Sequence, residues 1–155
     1  MATKPQSEAK PTIVTMRYGD LEEVCRIERE SFTSPWPWDA FTRSLEDPGS
    51  VGLVARDDTG VVGYVICWFF MDYMLVANLA VRSESRSSGW GSRLLEAALQ
   101  VARQEGVREV LLDVRVSNLK AIRLYERFGF RVVGRRRHYY TRPVEDALVM
   151  MRQLP

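Results

Sequence analysis

Between an apolar run that ends at Val81 and a long amphipathic stretch that starts near Gly89 lies Arg86-Ser87-Ser88-Gly89-Trp90-Gly91. Two glycines one residue apart let backbone amides turn inward at a helix N-terminus, where unpaired N–H groups and the helix dipole favour an anion. A pyrophosphate is the natural occupant, although the glycine pair alone is equally a turn leading into a surface helix. No Gly-Lys-Ser/Thr follows, so it is not a P-loop. A third glycine and an early βαβ unit are missing, so it is not a dinucleotide fingerprint either. Four further positions carry usable chemistry: the carboxylate of Asp113, the amide of Asn118, the phenol of Tyr125 and the Tyr139-Tyr140 pair. Taken alone, Asn118 is a helix cap, Tyr125 a helical core residue beside Leu124 and Phe128, and Asp113 a partner for Arg115 or Arg123.

What the chain lacks narrows the chemistry further. It has a single histidine, His138, and two cysteines, Cys25 and Cys67, far apart in apolar settings. Neither a metal site nor a disulfide framework can be built from these, and they suit a reducing cytoplasm. No cysteine has a matched histidine, which disfavours a covalent intermediate. Twenty-two basic residues against 20 acidic leave a net charge of +2, too small to argue for nucleic acid. The longest apolar run, Val61 to Met71, is well short of the ~20 residues of a membrane helix.

These residues must be held by a modest scaffold. At 155 residues, with 46% hydrophobic and 27% charged, the chain has the composition and size of one globular α/β domain. Residues 1–11, with Lys4, Glu8, Lys10 and two prolines, read as a mobile leader without a signal-peptide core, ahead of a folded domain 12–155. Thr12 to Arg17 reads as a strand, and Asp20 with Glu23 as a capping box. Leu21, Val24, Cys25, Ile27 and Glu28 then follow helical spacing up to Phe32. The segment Ser34-Pro35-Trp36-Pro37-Trp38 has to be irregular, because two prolines forbid continued helix. A short helix from Trp38 to Leu45 comes next, followed by strands Val51–Arg56, Val61–Met71 and Met74–Val81. A helix from Gly89 to Glu105, a strand Glu109–Arg115 and a helix from Asn118 to Phe128 lead to two last strands. Those run from Phe130 to Arg136 and from Ala147 to Gln153, around a loop at Thr141-Arg142-Pro143. The order β-α-α-β-β-β-α-β-α-β-β describes a mixed α/β domain with an antiparallel first half.

In that order the glycine segment resembles the GNAT acyltransferase superfamily, whose signature Gln/Arg-x-x-Gly-x-Gly/Ala is matched by Arg86, Gly89 and Gly91. Within it the chain is similar to RimI-type N-acetyltransferases of ribosomal-protein alanine. The supporting residues are the Phe32–Trp38 aromatic loop, Asn78-Leu79-Ala80-Val81, the run from Asp113 to Asn118 and the run from Ala121 to Phe130. Arg137-His138-Tyr139-Tyr140 and Glu145-Asp146-Ala147-Leu148 extend the likeness over about residues 13 to 154. The resemblance implies a single-domain GNAT fold: a mixed, mostly antiparallel sheet with a central strand split, flanked by about four helices. It implies acetyl-CoA in that split, with the backbone of Leu79, Ala80 and Val81 facing the pantetheine and thioester. The amides of Ser87, Ser88, Gly89, Trp90, Gly91 and Ser92, behind Arg86, would hold the pyrophosphate, and Asn118 would touch the cofactor arm.

In similar enzymes the tyrosine at position 125 is the general acid for the departing thiolate. A glutamate at position 113 is the general base, and here it is the shorter Asp113, which favours a relaying water. Phe32, Trp36, Tyr139 and Tyr140 would flank the channel for the acceptor, a protein or peptide N-terminus such as the N-terminal alanine of a small-subunit ribosomal protein. An α-amine with pKa near 8 is about one-tenth neutral at pH 7, a cost of about 1.4 kcal/mol, whereas a lysine amine costs about 4.6. A weaker base therefore suits an N-terminal acceptor. A GNAT enzyme acting on lysine or a small amine, and a non-catalytic acyl-CoA-binding or ribosome-associated module, are the competing expectations. The run Arg135-Arg136-Arg137 reads first as a solvated strand edge. No metal, nucleic acid or membrane is expected, and nothing in the sequence specifies an oligomeric state.

Overall fold

The computed structural model describes residues 12–155, so the expected leader at 1–11 lies outside the described residues. Strand β1 (Thr12–Thr15) is followed by helices α1 (Leu21–Ser31) and α2 (Trp38–Glu46) and by strands β2 (Ser50–Asp57), β3 (Gly60–Phe69) and β4 (Tyr73–Val81). Helix α3 (Trp90–Glu105), β5 (Glu109–Arg115) and α4 (Leu119–Arg127) lead to β6 (Arg131–Thr141) and β7 (Val144–Gln153). One seven-stranded sheet runs in the order β1-β2-β3-β4-β5-β7-β6. Every neighbouring pair is antiparallel except β4 and β5.

The sheet has a core on each face. Against one face pack Leu94, Leu95, Ala98, Leu99 and Ala102 of α3 with Ile122 and Tyr125 of α4. Leu21, Val24 and Ile27 of α1 and Phe41 of α2 cover the other. Strand β3 is buried on both sides, its Val62, Val65 and Cys67 facing the α3 core and its Tyr64 and Ile66 facing α1. That double burial is why its sequence is a continuous apolar run with no alternation.

The β4–β5 contact positions the site. These parallel strands pair only at Tyr73–Glu109, Met74–Val110 and Leu75–Leu111. Beyond Leu75, β4 stays registered with β3 through Val81, while β5 stays registered with β7 through Arg115. Opposite the bulge, Ile66 pairs with Asn78 and Cys67 with Val76, so Ala77 is an extra residue in β4. An extra residue bends its strand and sharpens the local twist, here where β4 leaves β5. The expected central split is this divergence.

Three local expectations are corrected. Asp20 does not cap α1: its carboxylate accepts the Arg17 N–H at 2.9 Å and pairs with Arg56 of β2. Glu23 likewise leaves the helix to accept the Val61 N–H at 2.8 Å, so the capping box is replaced by two ties to the sheet. Finally, β6 and β7 run on past Arg136 and before Ala147 to meet at Thr141–Val144, with only Arg142-Pro143 between them. Proline breaks a ladder, but at a hairpin tip no ladder bond is lost. A register shift between Arg136 and Tyr140 absorbs Arg137, His138 and Tyr139, with His138 at φ +49°.

Candidate active site

The glycine loop between β4 and α3 is held against α4. Ser87 (φ +65°) and Gly89 (φ +83°) both take left-handed backbone, and Gly89 stands at the N-cap of α3 with no side-chain cap on the amides behind it. Open space surrounds Gly89 on its Cβ side, whereas a Cβ on Gly91 would sit 3.5 Å from Leu124 of α4. The first glycine thus supplies the turn and the second the close approach of the two helices. Arg86 fastens the loop to the end of β4, donating from Nε to the Val81 carbonyl at 3.0 Å and from Nη2 to Ser31 Oγ at 3.1 Å. On α4, Lys120 Nζ donates to Ser87 Oγ at 3.1 Å, which adds a cation to the amide cluster. Sequence reasoning passed over Lys120; its signal was a cation in the first turn of a helix capped beside the site. Asn118 does cap α4, its Oδ1 accepting the Ala121 N–H at 3.2 Å.

The split itself is walled by Leu79, Ala80 and Val81 on β4 and by Asp113 on β5. Ala80 packs into the α1 core, while Leu79 and Val81 lean on the α3 core. Tyr125 of α4 is buried, its ring edge-on to Phe130 at 5.8 Å. Burial, with a smaller contribution from Tyr140, pushes its phenol above the ordinary tyrosine value. Tyr140 is half-buried on β6, with the Arg115 guanidinium 4.2 Å from its ring centre. Burial first and the Asp113 carboxylate second push its pKa up to about 12. Asp113, Tyr125 and Tyr140 are therefore one neighbourhood, although they come from three elements.

Asp113 does not pair with Arg115 or Arg123. Its Oδ1 accepts from Arg136 Nε at 3.1 Å. Arg115 is occupied elsewhere: it donates to Glu145 Oε1 at 3.2 Å, to the carbonyls of Pro143 (3.1 Å) and Arg142 (3.2 Å), and to Thr33 Oγ1 at 3.4 Å. Thr33 in turn donates its hydroxyl to the Arg142 carbonyl. The α1–α2 loop and the β6–β7 tip are thereby bracketed over the open end of the split. Phe32, beside Thr33 in the chain, is 38% exposed, and Tyr139, edge-on to Tyr140, is 52% exposed. Trp36 turns inward, stacked on Trp68 at 5.6 Å and tilted against Phe41 at 5.3 Å, so it anchors its loop.

Beneath that loop lies a residue the sequence showed only as a charge on an apolar helix face. Glu28 is 1% exposed and accepts from the Trp36 N–H, the Tyr64 hydroxyl and Asn78 Nδ2. Burial raises its carboxyl above the ordinary range, and the three hydrogen bonds oppose that shift. Among the described residues no group of histidines, cysteines and carboxylates could hold a metal ion.

Residues 21–130 match the acetyltransferase (GNAT) family. The chain belongs to that family. It is 38% identical over 144 residues to a Bacillus subtilis protein named for alanine N-acetylation of ribosomal protein bS18, covering 92% of this chain and 95% of that one. It is 33% identical over 156 residues to an N-alpha-acetyltransferase of Saccharolobus solfataricus, covering 92% and 93%. Among solved structures, the ribosomal-protein-S18-alanine N-acetyltransferase of Escherichia coli superposes with a TM-score of 0.86 at 29% identity, over 92% of this chain and 93% of that one. This chain has the GNAT fold that the motifs resemble, with seven strands and four α-helices among the described residues, and its relatives include RimI-type enzymes of ribosomal-protein alanine.

Proposed function

We propose that this GNAT enzyme moves the acetyl group of acetyl-CoA to the N-terminal α-amine of a protein, by direct attack with donor and acceptor bound together. The observation that carries this reading is the β4–β5 split, flanked by an amide-rich loop with Arg86 and Lys120 on one side and by Asp113, Tyr125 and Tyr140 on the other. The parts fit acetyl-CoA. Inward amides of 87–92 and the Lys120 ammonium suit a pyrophosphate, and we assign Asn118, which caps α4, to the cofactor arm as well. The edge of β4 at Leu79–Val81, which no strand covers on the β5 side, can receive an extended amide-bearing chain as a strand would. An N–H on that edge stabilises negative charge as it develops on an oxygen.

Acetyl-CoA supplies an activated acyl group; the remaining work falls to side chains. Asp113 takes the proton of the acceptor amine, directly or through a water. Tyr125 holds its hydroxyl proton toward the departing sulfur. Phe32, Tyr139 and Tyr140, with the loop anchored by Trp36, hold the first residues of the peptide. An N-terminal alanine on a ribosomal protein fits such an aromatic-walled channel and is the acceptor named for the bacterial relatives. We assign the enzyme to the cytoplasm, whose reducing conditions suit the free, buried thiols of Cys25 and Cys67.

The test is a peptide panel with radiolabelled acetyl-CoA. Label is expected on an Ala-initiated peptide and absent from its N-blocked, lysine-bearing counterpart. Label only on lysine or polyamines, or on nothing while CoA still binds, overturns the reading.

A further inference from the structure

Glu28 ties the loop after α1 to strands β3 and β4. It sits on α1, on the face turned to the sheet, and only 1% of it is exposed. Its Oε1 accepts the Trp36 N–H at 3.0 Å, and its Oε2 accepts Asn78 Nδ2 at 2.7 Å as well as the Tyr64 hydroxyl. A carboxylate has only acceptor sites, so three converging donors fill most of what it offers. The destinations of those donors matter more than their number. Trp36 belongs to the loop that walls the acceptor channel. Pro35 and Pro37 have no N–H, and among the described residues Trp36 is the one position of 33–37 whose backbone N–H is hydrogen-bonded. Asn78 follows the extra residue Ala77 and precedes Leu79, so it lies where β4 bends away from β5. Tyr64, fully buried on β3 beside it, keeps the carboxylate from turning.

We propose that Glu28 is a positioning residue for acetyl transfer, fixing the acceptor loop against the bent part of β4 so that a bound amine and the thioester share one frame. This rests on the reading of the site given above. Reach is what the role demands. Aspartate at this position keeps the charge but falls one methylene short of donors on two different elements. Glutamine keeps the length: its carbonyl can accept from Trp36, and its amide can donate to Tyr64 and to Asn78 with the Asn78 amide turned over.

The experiment compares Glu28→Asp and Glu28→Gln in the full chain, with an Ala-initiated peptide and acetyl-CoA. Glu28→Asp is expected to lower kcat/KM for the peptide tenfold or more, chiefly through KM, with the CoA dissociation constant within twofold of the parent. Glu28→Gln is expected to rescue most of that loss. An unchanged peptide KM in Glu28→Asp overturns the inference, as does a CoA dissociation constant that moves by the same factor. A Glu28→Gln variant as poor as Glu28→Asp overturns it too. Amide hydrogen exchange at Trp36 needs no activity and no variant: slow exchange in the parent supports the tie, and exchange at the rate of an open loop refutes it. A parent enzyme that labels no peptide defeats the functional reading, and Trp36 exchange still decides the role of Glu28.

Discussion

Tyr125 is a poor acid in an isolated view and a worse one in its place. A phenol near 10 facing a thiol near 8.5 donates its proton uphill by about 2 kcal/mol, and burial raises the phenol further. It therefore stays protonated across the physiological range, and in the proposed reaction its part is a hydrogen bond to the leaving sulfur that strengthens as negative charge develops. A hydrogen bond to a charged group is worth about 1.5–3 kcal/mol, so Tyr125→Phe is expected to lower kcat roughly 10- to 100-fold. The same substitution should leave the CoA dissociation constant, measured by calorimetry, within about twofold. A collapse of affinity with turnover preserved at saturation would assign Tyr125 to binding. Asp113 meets the opposite situation. Its partner Arg136 is 56% exposed, and an exposed pair of this kind is worth about 1 kcal/mol or less. An incoming ammonium can displace such a partner at small cost, since Arg136 already lies over the Tyr139 ring, 5.9 Å from its centre, while paired with Asp113.

At the scale of elements, the β6–β7 hairpin, one wall of the proposed acceptor channel, is held largely by charged side chains. Glu145 accepts from Arg115 and from the Ser117 N–H, and Asp146 accepts from Arg135 at 2.6 Å and from the His138 N–H at 2.9 Å. The Ser117 side chain lowers the Glu145 carboxyl most, with Arg115 and the Ser117 N–H adding to it, and the bond from the His138 N–H lowers Asp146 most. Carboxyls depressed in the folded state contribute stability above their unfolded values near 4, and lose it as pH falls through the lower folded ones. Protection factors of the Ser117 and His138 amides should accordingly drop on acidification below about pH 4, ahead of those in β3. Equal loss in β3 would show that the hairpin does not loosen on its own.

Much of this layer was legible in the sequence, because its signals are local. Gly89 and Gly91 announced the turn, Asn118 its cap, and two prolines the break after α1. The misses share a non-local cause. Asp20 looked like a cap until Arg56, 36 positions away, claimed its carboxylate. Pro143 looked like a loop because its place at a hairpin tip depends on the partner strand. The roles of Glu28, Lys120 and Arg136 exist only once α1, α4 and β6 are brought against other elements.

For the molecule as a whole, the division of the core between the two sheet faces bears on the kinetic order expected of the proposed reaction. Helices α3 and α4 carry the glycine loop and Tyr125 on one face, and α1 and α2 carry the acceptor loop on the other. The split lies between them, with the Arg86–Ser31 hydrogen bond as a further tie, so each substrate of the proposed reaction can be held by its own half of the domain while the other is present. The same packing removes the alternative route. A covalent route needs a thiolate at the split, but Cys25 and Cys67 are buried within the cores at 5% and 2% exposure. Burial raises the Cys25 thiol above its ordinary value and pushes that of Cys67 up to about 12. A buried, protonated thiol is a poor nucleophile. Initial rates measured against both substrates should therefore give intersecting rather than parallel double-reciprocal lines. Enzyme incubated with radiolabelled acetyl-CoA alone should retain no label after acid precipitation, and iodoacetamide treatment of the folded protein should spare its activity. Parallel lines together with label on either cysteine would require an acyl-enzyme and a site that opens one of the two cores.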